Sequence, residues 1–398
     1  MPCHPSYKKK SEDKAAARDR FLIPVLAAYY FFHYCTLGII YPYFGFYFKQ
    51  TGYNGTEIGL LLSILPIVSF TCTTLWADVF TKVKHRKLFI VSGILISSFA
   101  LVPIYFYHSK SMTAVLLAVF ALARTGILPV IDSFASSLND RMPYGRMRIF
   151  GSLGFILTST ATGYFFDSFG AAAFVLLYTV FSLLSVVPAL LANYDTSLFK
   201  PRPNSEKRLP FHLKVFFAGL TIYLSSFAFL SNFFNIKVAE AGFGQTYAGY
   251  MWTVGVLAEM FFMYHQERVL KFMRAEYIII VSMLLGGVRY FATALTDSLI
   301  LLFFFSAFHG FAYGTMHISV MKFFREKLPE SLRLKAQTIY SGVGYGLGTV
   351  AGSAVSGMVY DHMGLKPVFF TAFFFCIIGA SVIYWYIGIE GKNGGEQS

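Results

Sequence analysis

The sequence predicts an all-α membrane protein of twelve transmembrane helices, arranged as two parallel six-helix repeats. Three observations predict it. First, apolar runs of membrane-spanning length recur along all 398 residues, with 56% of residues hydrophobic and only 13% charged; soluble domains carry about 25% charged residues. Second, the remaining cations fall on alternate loops. Third, two stretches of the first half return in the second half at nearly constant offsets.

The apolar runs lie at 21–48, 56–77, 88–107, 112–138, 147–168, 171–192, 215–238, 244–264, 276–296, 298–322, 336–360 and 366–389. Each is near or above the ~20 residues that span a bilayer as a helix. Each is bounded by charge, Gly or Pro. Backbone groups in lipid must be satisfied within the segment, so runs of this length are expected to be helical. Barrel strands would alternate polar and apolar residues, and Leu299–Phe305 does not. The arm Met1–Arg20 is polar and basic, and the run behind it is too long for a cleavable signal and lacks a small-residue cleavage site.

Of the 33 Lys and Arg, 27 lie in the arm, in loops 78–87, 139–148, 193–214, 265–275 and 322–335, and in the tail. The other set of loops holds four: Lys49, Lys110, Lys237 and Lys366. By the positive-inside rule both termini are cytoplasmic, in a multi-pass protein of the cell (inner or plasma) membrane. The formal charge of +13 is then an orientation signal that meets anionic lipid, and nucleic acid is not an expected partner.

The repeat is visible residue by residue. Leu153/Leu347, Gly154/Gly348, Ser159/Ser353, Gly163/Gly357, Asp167/Asp361 and Gly170/Gly364 match at an offset of 194. Gly52, Thr56 and Gly59 match Gly242, Thr246 and Gly249 at 190. Each half holds six spans, so the halves share one orientation, an architecture in which secondary transporters hold substrate between repeats. The expected organisation is an N-terminal bundle 1–192, a Pro- and charge-rich linker 193–214, and a C-terminal bundle 215–398. Cys3, Cys35, Cys72 and Cys376 have no metal-ligand or CxxC spacing. The glycines from Gly342 to Gly352 precede no Walker lysine. No cofactor or metal is expected, and no catalytic cluster of an enzyme appears.

Three stretches carry a resemblance: Tyr144–Phe155 (YGRMRIFGSLGF), His309-Gly…Gly314…His317 with Leu328-Pro…Arg333…Ala336-Gln337…Tyr340, and Tyr41-Pro-Tyr-Phe-Gly…Gly52. Across its whole length the chain resembles major facilitator superfamily transporters, and more narrowly the phenylpropionate-permease and lactose-permease-like branch of oligosaccharide and nucleoside proton symporters. The loop from Asp78 to Lys87 is similar to the superfamily's acidic-then-basic gating loop, keeping Asp78 and losing the glycines.

Charges within spans are costly, so the few present are the functional candidates: Arg124, Asp132, Arg148, Glu259 and Arg289, with His33, His309 and His317. The resemblance implies that Glu259, Arg289 and His309 stand where that branch carries an essential acid, an arginine and a histidine. It also implies that Asp132 and Arg148 hold substrate. The acid expected one turn past the histidine is absent, since position 312 is Ala. Proton coupling is therefore assigned to Glu259, with Asp132 second. The simplest pairing sets Glu259 against Arg289, either as a switch or as a permanent clamp between two helices. Arg124 lies eight residues before Asp132, about 80° around a continuous helix, so both can border one cavity. Substrate binding is assigned to Arg124, Asp132, Arg148, Arg289 and His309. The excess of arginine over acid leans towards an organic or aromatic carboxylate.

The expected function is proton-coupled symport of a small organic solute by a monomer. Sugar or nucleoside symport, export or exchange are alternatives within the class. A lipid-modifying enzyme or a non-transporting receptor are alternatives outside it.

Overall fold

The computed structural model describes residues 5–107, 109–137, 144–192, 194, 209–271 and 273–395. No strand forms among them, and ten of their helices are long and apolar enough to cross a membrane. In chain order the helices are α1 (Phe21–Gln50), α2 (Gly55–Lys82), α3 (Arg86–Phe106), α4 (Lys110–Ser136), α5 (Tyr144–Phe169), α6 (Ala172–Leu191) and α7 (Phe211–Glu240). They continue as α8 (Gln245–Tyr264), α9 (Ala275–Leu295), α10 (Leu299–Lys327), α11 (330–363) and α12 (Leu365–Glu390). The ten exclude α8, which carries Glu259, and α11, which carries five glycines from Gly342 to Gly352. Each predicted apolar run overlaps one of these helices. Most of the predicted linker 193–214 and half of loop 139–148 lie outside the described residues; α7 already begins at Phe211, inside the predicted linker.

Four glycines have positive φ: Gly52 (90°), Gly170 (65°), Gly242 (88°) and Gly364 (83°). They form the turns α1–α2, α5–α6, α7–α8 and α11–α12. Only glycine adopts this backbone at little cost. The four are also two of the repeat pairs, Gly52/Gly242 and Gly170/Gly364, so part of the sequence echo is a helix-end requirement.

The rest of the echo builds the seams between the halves. At the end of α11, the Asp361 carboxylate accepts from Gly55 N at 2.6 Å and Thr56 N at 2.7 Å, the first amides of α2. At the end of α5, Asp167 accepts from Gln245 N at 2.7 Å, Thr246 N at 2.8 Å and Thr246 Oγ1 at 2.7 Å, at the start of α8. An anion there satisfies orphan N–H groups and faces the positive end of the helix dipole. The backbones close up beside these caps. A Cβ on Gly59 would stand 2.2 Å from Ser353 O, and one on Gly249 would stand 2.4 Å from Ser159 O. The two echoes are one inter-half contact made twice, α2 on α11 and α8 on α5.

Other contacts gather the ends of the helices into two sets. Beside the seams, the capping box Asn54/Glu57 starts α2, Lys110 pairs with Glu57, and buried Lys237 pairs with Asp297 of the α9–α10 turn. That partner holds the Asp297 carboxyl below its ordinary value. At the opposite end, Glu276 is 1% exposed and meets Arg274 at 3.0 Å and Lys327 at 3.6 Å, while Glu390 meets the same two cations, tying α9, α10 and α12 together.

Candidate functional site

Arg289 on α9 is 3% exposed, and its Nη1 lies 3.2 Å from His309 Nδ1 on α10. A guanidinium has no acceptor atom and keeps its charge. Nδ1 is therefore the accepting nitrogen, and the neutral ring carries its proton on Nε2. That Nε2 faces Glu259 Oε2 of α8 at 3.6 Å. The direct Glu259–Arg289 pair expected from sequence is replaced by a three-part chain with the imidazole between acid and guanidinium. Close packing of α8 on α10 brings the ring in: Gly255 lies against His309 Cβ, and a Cβ on Gly310 would stand 2.7 Å from Ala258 O.

Immediately after His309 the helix widens into a π-helix, Gly310–Thr315. Such bulges re-aim side chains, often at functional sites. Here His309, Tyr313 and His317 stack as one column, with ring centroids 5.6 and 5.9 Å apart and planes within 3° and 10°. A second π-helix, Tyr340–Leu347 in α11, supplies two phenols. His317 Nδ1 lies 3.1 Å from Tyr340 Oη, which lies 3.0 Å from Tyr345 Oη.

The first half answers with tyrosines one turn apart on α1. Tyr30 Oη donates to Asp132 Oδ1 at 2.5 Å, and Tyr34 Oη accepts from Arg148, whose guanidinium also stands over the Tyr34 ring.

Arg124 is turned elsewhere. Its Nη1 donates to Tyr178 Oη at 2.8 Å and its Nη2 to Thr36 Oγ1 at 3.1 Å, within a cavity enclosed by α1, α3, α4 and α6. Asp132, eight residues on, meets Tyr30 instead, and α4 carries a turn between the two at Thr125–Gly126. The Trp76 indole occupies the space that a Cβ on Gly126 would need. Asp78 is exposed near the end of α2, with its backbone carbonyl accepting from Thr81. His33 is buried and stacks on Tyr29. Asn232 bonds Ser353, and Asn235 bonds Gln245 and Trp252, so both tie helices together.

From sequence, Tyr30, Tyr34, Tyr313 and Tyr345 carry no assigned role, and Tyr340 enters only as part of a resemblance. The i, i+4 spacing of Tyr30/Tyr34 and of His309/Tyr313/His317 was the available signal. Among the described residues, no group of His, Cys, Asp and Glu could hold a metal ion.

The MFS_1 like family matches residues 23–371. The chain is 23% identical to the maltose permease of Geobacillus stearothermophilus, over 96% of this chain and 98% of that one. It is 23% identical to the probable 3-phenylpropionic acid transporter of Escherichia coli (strain K12), over 85% of this chain and 91% of that one. The crystal structure of the nucleoside transporter NupG superposes with a TM-score of 0.77 at 16% identity, covering 92% of this chain and 99% of that one.

Proposed function

Since the chain belongs to the MFS_1 like family, and so is a multi-pass secondary transporter of small solutes in the cell membrane and not an enzyme, we propose that it is a proton-coupled symporter of an organic carboxylate. In this reading it acts as a monomer in contact with lipid. Its twelve helices, with both termini cytoplasmic, form two bundles, 1–192 and 215–398, that rock about a solute bound between them. The observation that carries the reading is the chain Glu259–His309–Arg289, with His309 heading the His309/Tyr313/His317 column.

The roles follow from the donors and acceptors. Arg148 and Arg289 supply charge for a carboxylate, and the aromatic column supplies a flat wall for an apolar body. Glu259 takes the proton. As a carboxylate it attracts the Nε2–H of His309 and holds that ring on Arg289. Once protonated it releases the ring, and Arg289 becomes available to the solute's carboxylate. Asp132, held by Tyr30, is the second titrating group. Asp78 belongs to the loop that gates the cytoplasmic side.

Alternating access is supported by where the halves touch. Cross-half hydrogen bonds among the described residues involve Tyr43, Gly55, Thr56, Ser159, Thr160 and Asp167 of the first half, all on the side of the seams. This favours a carrier closed at that end and open towards the basic arm. The abundant phenols around the column (Tyr34, Tyr340, Tyr345) favour a second reading, sugar or nucleoside symport through hydroxyl recognition. Export or exchange would use the same groups.

Uptake into proteoliposomes tests this. Radiolabelled 3-phenylpropionate, maltose and a nucleoside are each offered with and without an inward proton gradient. Gradient-dependent accumulation of the carboxylate is expected. Accumulation of the sugar or nucleoside alone would favour the second reading, and gradient-independent equilibration of all three would overturn proton coupling.

A further inference from the structure

Outside the solute site, the first half contains a second polar cavity. It measures about 10 Å³ and is lined by, among others, Tyr29, His33, Thr36, Arg124, Tyr178 and Ser182. A space of this size admits a single small particle. It is far too small for an organic solute, and every lining residue comes from α1, α3, α4 or α6.

Its hydrogen-bond inventory is unbalanced. Arg124 brings a permanent charge and five N–H donors in a fixed fork. Two of its nitrogens reach Tyr178 Oη and Thr36 Oγ1, both neutral. Thr36 gives its own proton to His33 O at 2.6 Å. Tyr178, having accepted from Arg124, keeps an O–H that meets no acceptor among the described residues. Tyr29 is 0% exposed, and its Oη has no partner among the described residues. No ion pair to Arg124 forms among the described residues, and Asp132, the acid of the same helix, is engaged by Tyr30. Among acceptors the cavity offers the ring of His33, stacked on Tyr29 with centroids 5.7 Å apart. Donors and positive charge therefore converge on a space whose lining carries no acid. A partly buried charge and a fully buried O–H group are costly without partners.

We propose that this cavity binds one small monovalent anion of chloride size, held by the Arg124 guanidinium and the hydroxyls of Tyr29 and Tyr178. A water molecule would fill the space but leave the charge uncompensated. A cation would be repelled. The anion closes the donor surplus and fixes α4 and α6 against α1, so it stabilises the first bundle without entering the solute path.

Thermal unfolding of the purified protein in sodium gluconate, titrated with sodium chloride at constant ionic strength, reads the site directly. The expected result is a saturable rise in Tm with chloride. Arg124→Gln abolishes the rise. Tyr29→Phe and Tyr178→Phe, which each delete one oxygen and keep the packing should Arg124→Gln fail to fold, shift its midpoint by about fivefold, the scale of one hydrogen bond. Crystals grown in sodium bromide are expected to show anomalous density between Arg124 and Tyr29. No chloride-specific rise, a rise unaltered in all three variants, or bromide density only elsewhere would overturn the proposal and leave a hydrated cavity.

Discussion

Arg124 and Arg289 are both guanidinium groups inside a bundle of apolar helices, yet their surroundings differ in kind. Arg124 is met by hydroxyls, from Thr36 and Tyr178. Arg289 is met by an imidazole, and the other nitrogen of that ring faces a carboxylate. The first arrangement has a fixed positive charge and no internal way to change it. The second has three groups whose hydrogen bonds depend on where one proton sits. In the proposed reading, proton coupling therefore centres on the second half, and Arg124 gives constant electrostatic support to the first. At their seams the halves are alike, because Asp167 and Asp361 cap α8 and α2 in the same manner.

The largest effect is expected from Glu259→Gln, which keeps the shape and removes the titration. Gradient-driven accumulation should fall about 100-fold, within the range that positioned acid–base groups contribute. Exchange of solute against solute should survive, because it needs no net proton movement. Measuring both in the same proteoliposomes separates coupling from binding. A variant that accumulates normally would move the titrating group to Asp132.

A smaller loss is expected from His309→Gln. The amide oxygen can accept from Arg289 and the amide nitrogen can face Glu259, so the geometry of the bridge is conserved. Its ability to take a charge is not. Uptake should fall about tenfold, with its pH optimum displaced, as befits a group acting through its neighbours. An unchanged pH profile would make the histidine a spacer, and the contrast between the two arginines would then rest on Glu259 alone.

The likeness of the seams can be broken symmetrically. Asp167→Asn and Asp361→Asn each remove the charge from a helix cap and leave an oxygen to accept. Both carboxylates are exposed, so screening limits each change to about 1 kcal/mol, roughly a fivefold shift of population. Cysteine-labelling rates inside the solute site, for a thiol-reactive probe added from the seam side, should rise by that factor in each single variant. In the double variant the factors should multiply, since both caps act on one equilibrium. A change in only one variant would mean that the repeat is symmetric in sequence but not in energy.

Much of this was legible from the sequence, for physical reasons. The lipid requirement that each helix satisfy its own backbone made the apolar runs readable as helices, and Gly52, Gly170, Gly242 and Gly364 announced the turns because few other residues tolerate that backbone. The seams were half-legible. Asp167/Asp361 stood out as an echo, but a capping partner some 80 or 300 residues away in the chain cannot be read from one strand of sequence. The site was legible as a list of charges and illegible as a network. Nothing in the order of residues says that His309 stands between Glu259 and Arg289, since that depends on how closely α8 and α10 pack at Gly255 and Gly310. The surroundings of Arg124 were not legible, because helical spacing leaves open which neighbours a side chain meets: Arg124 meets Tyr178 and Thr36, and Asp132 meets Tyr30.

The smallest predicted effect is also the one whose sign is informative. Tyr29→Phe deletes a buried hydroxyl that has no partner among the described residues. Removing an unsatisfied donor relieves a desolvation cost, so without chloride the variant should be equal to or more stable than the parent, by up to about 1 kcal/mol. With chloride the same hydroxyl becomes a ligand, and the variant should be the less stable by a similar amount. The two stability curves, measured by thermal unfolding, should therefore cross as chloride rises. The corresponding phenol of the second half, Tyr223, donates to Ala312 O at 2.7 Å and has no such freedom. Tyr223→Phe strands that carbonyl and should destabilise by about 1 kcal/mol at every chloride concentration. A crossing for Tyr29 with none for Tyr223 would establish that the first half's buried donors await an anion, whereas the second half's are already spent on the protein itself.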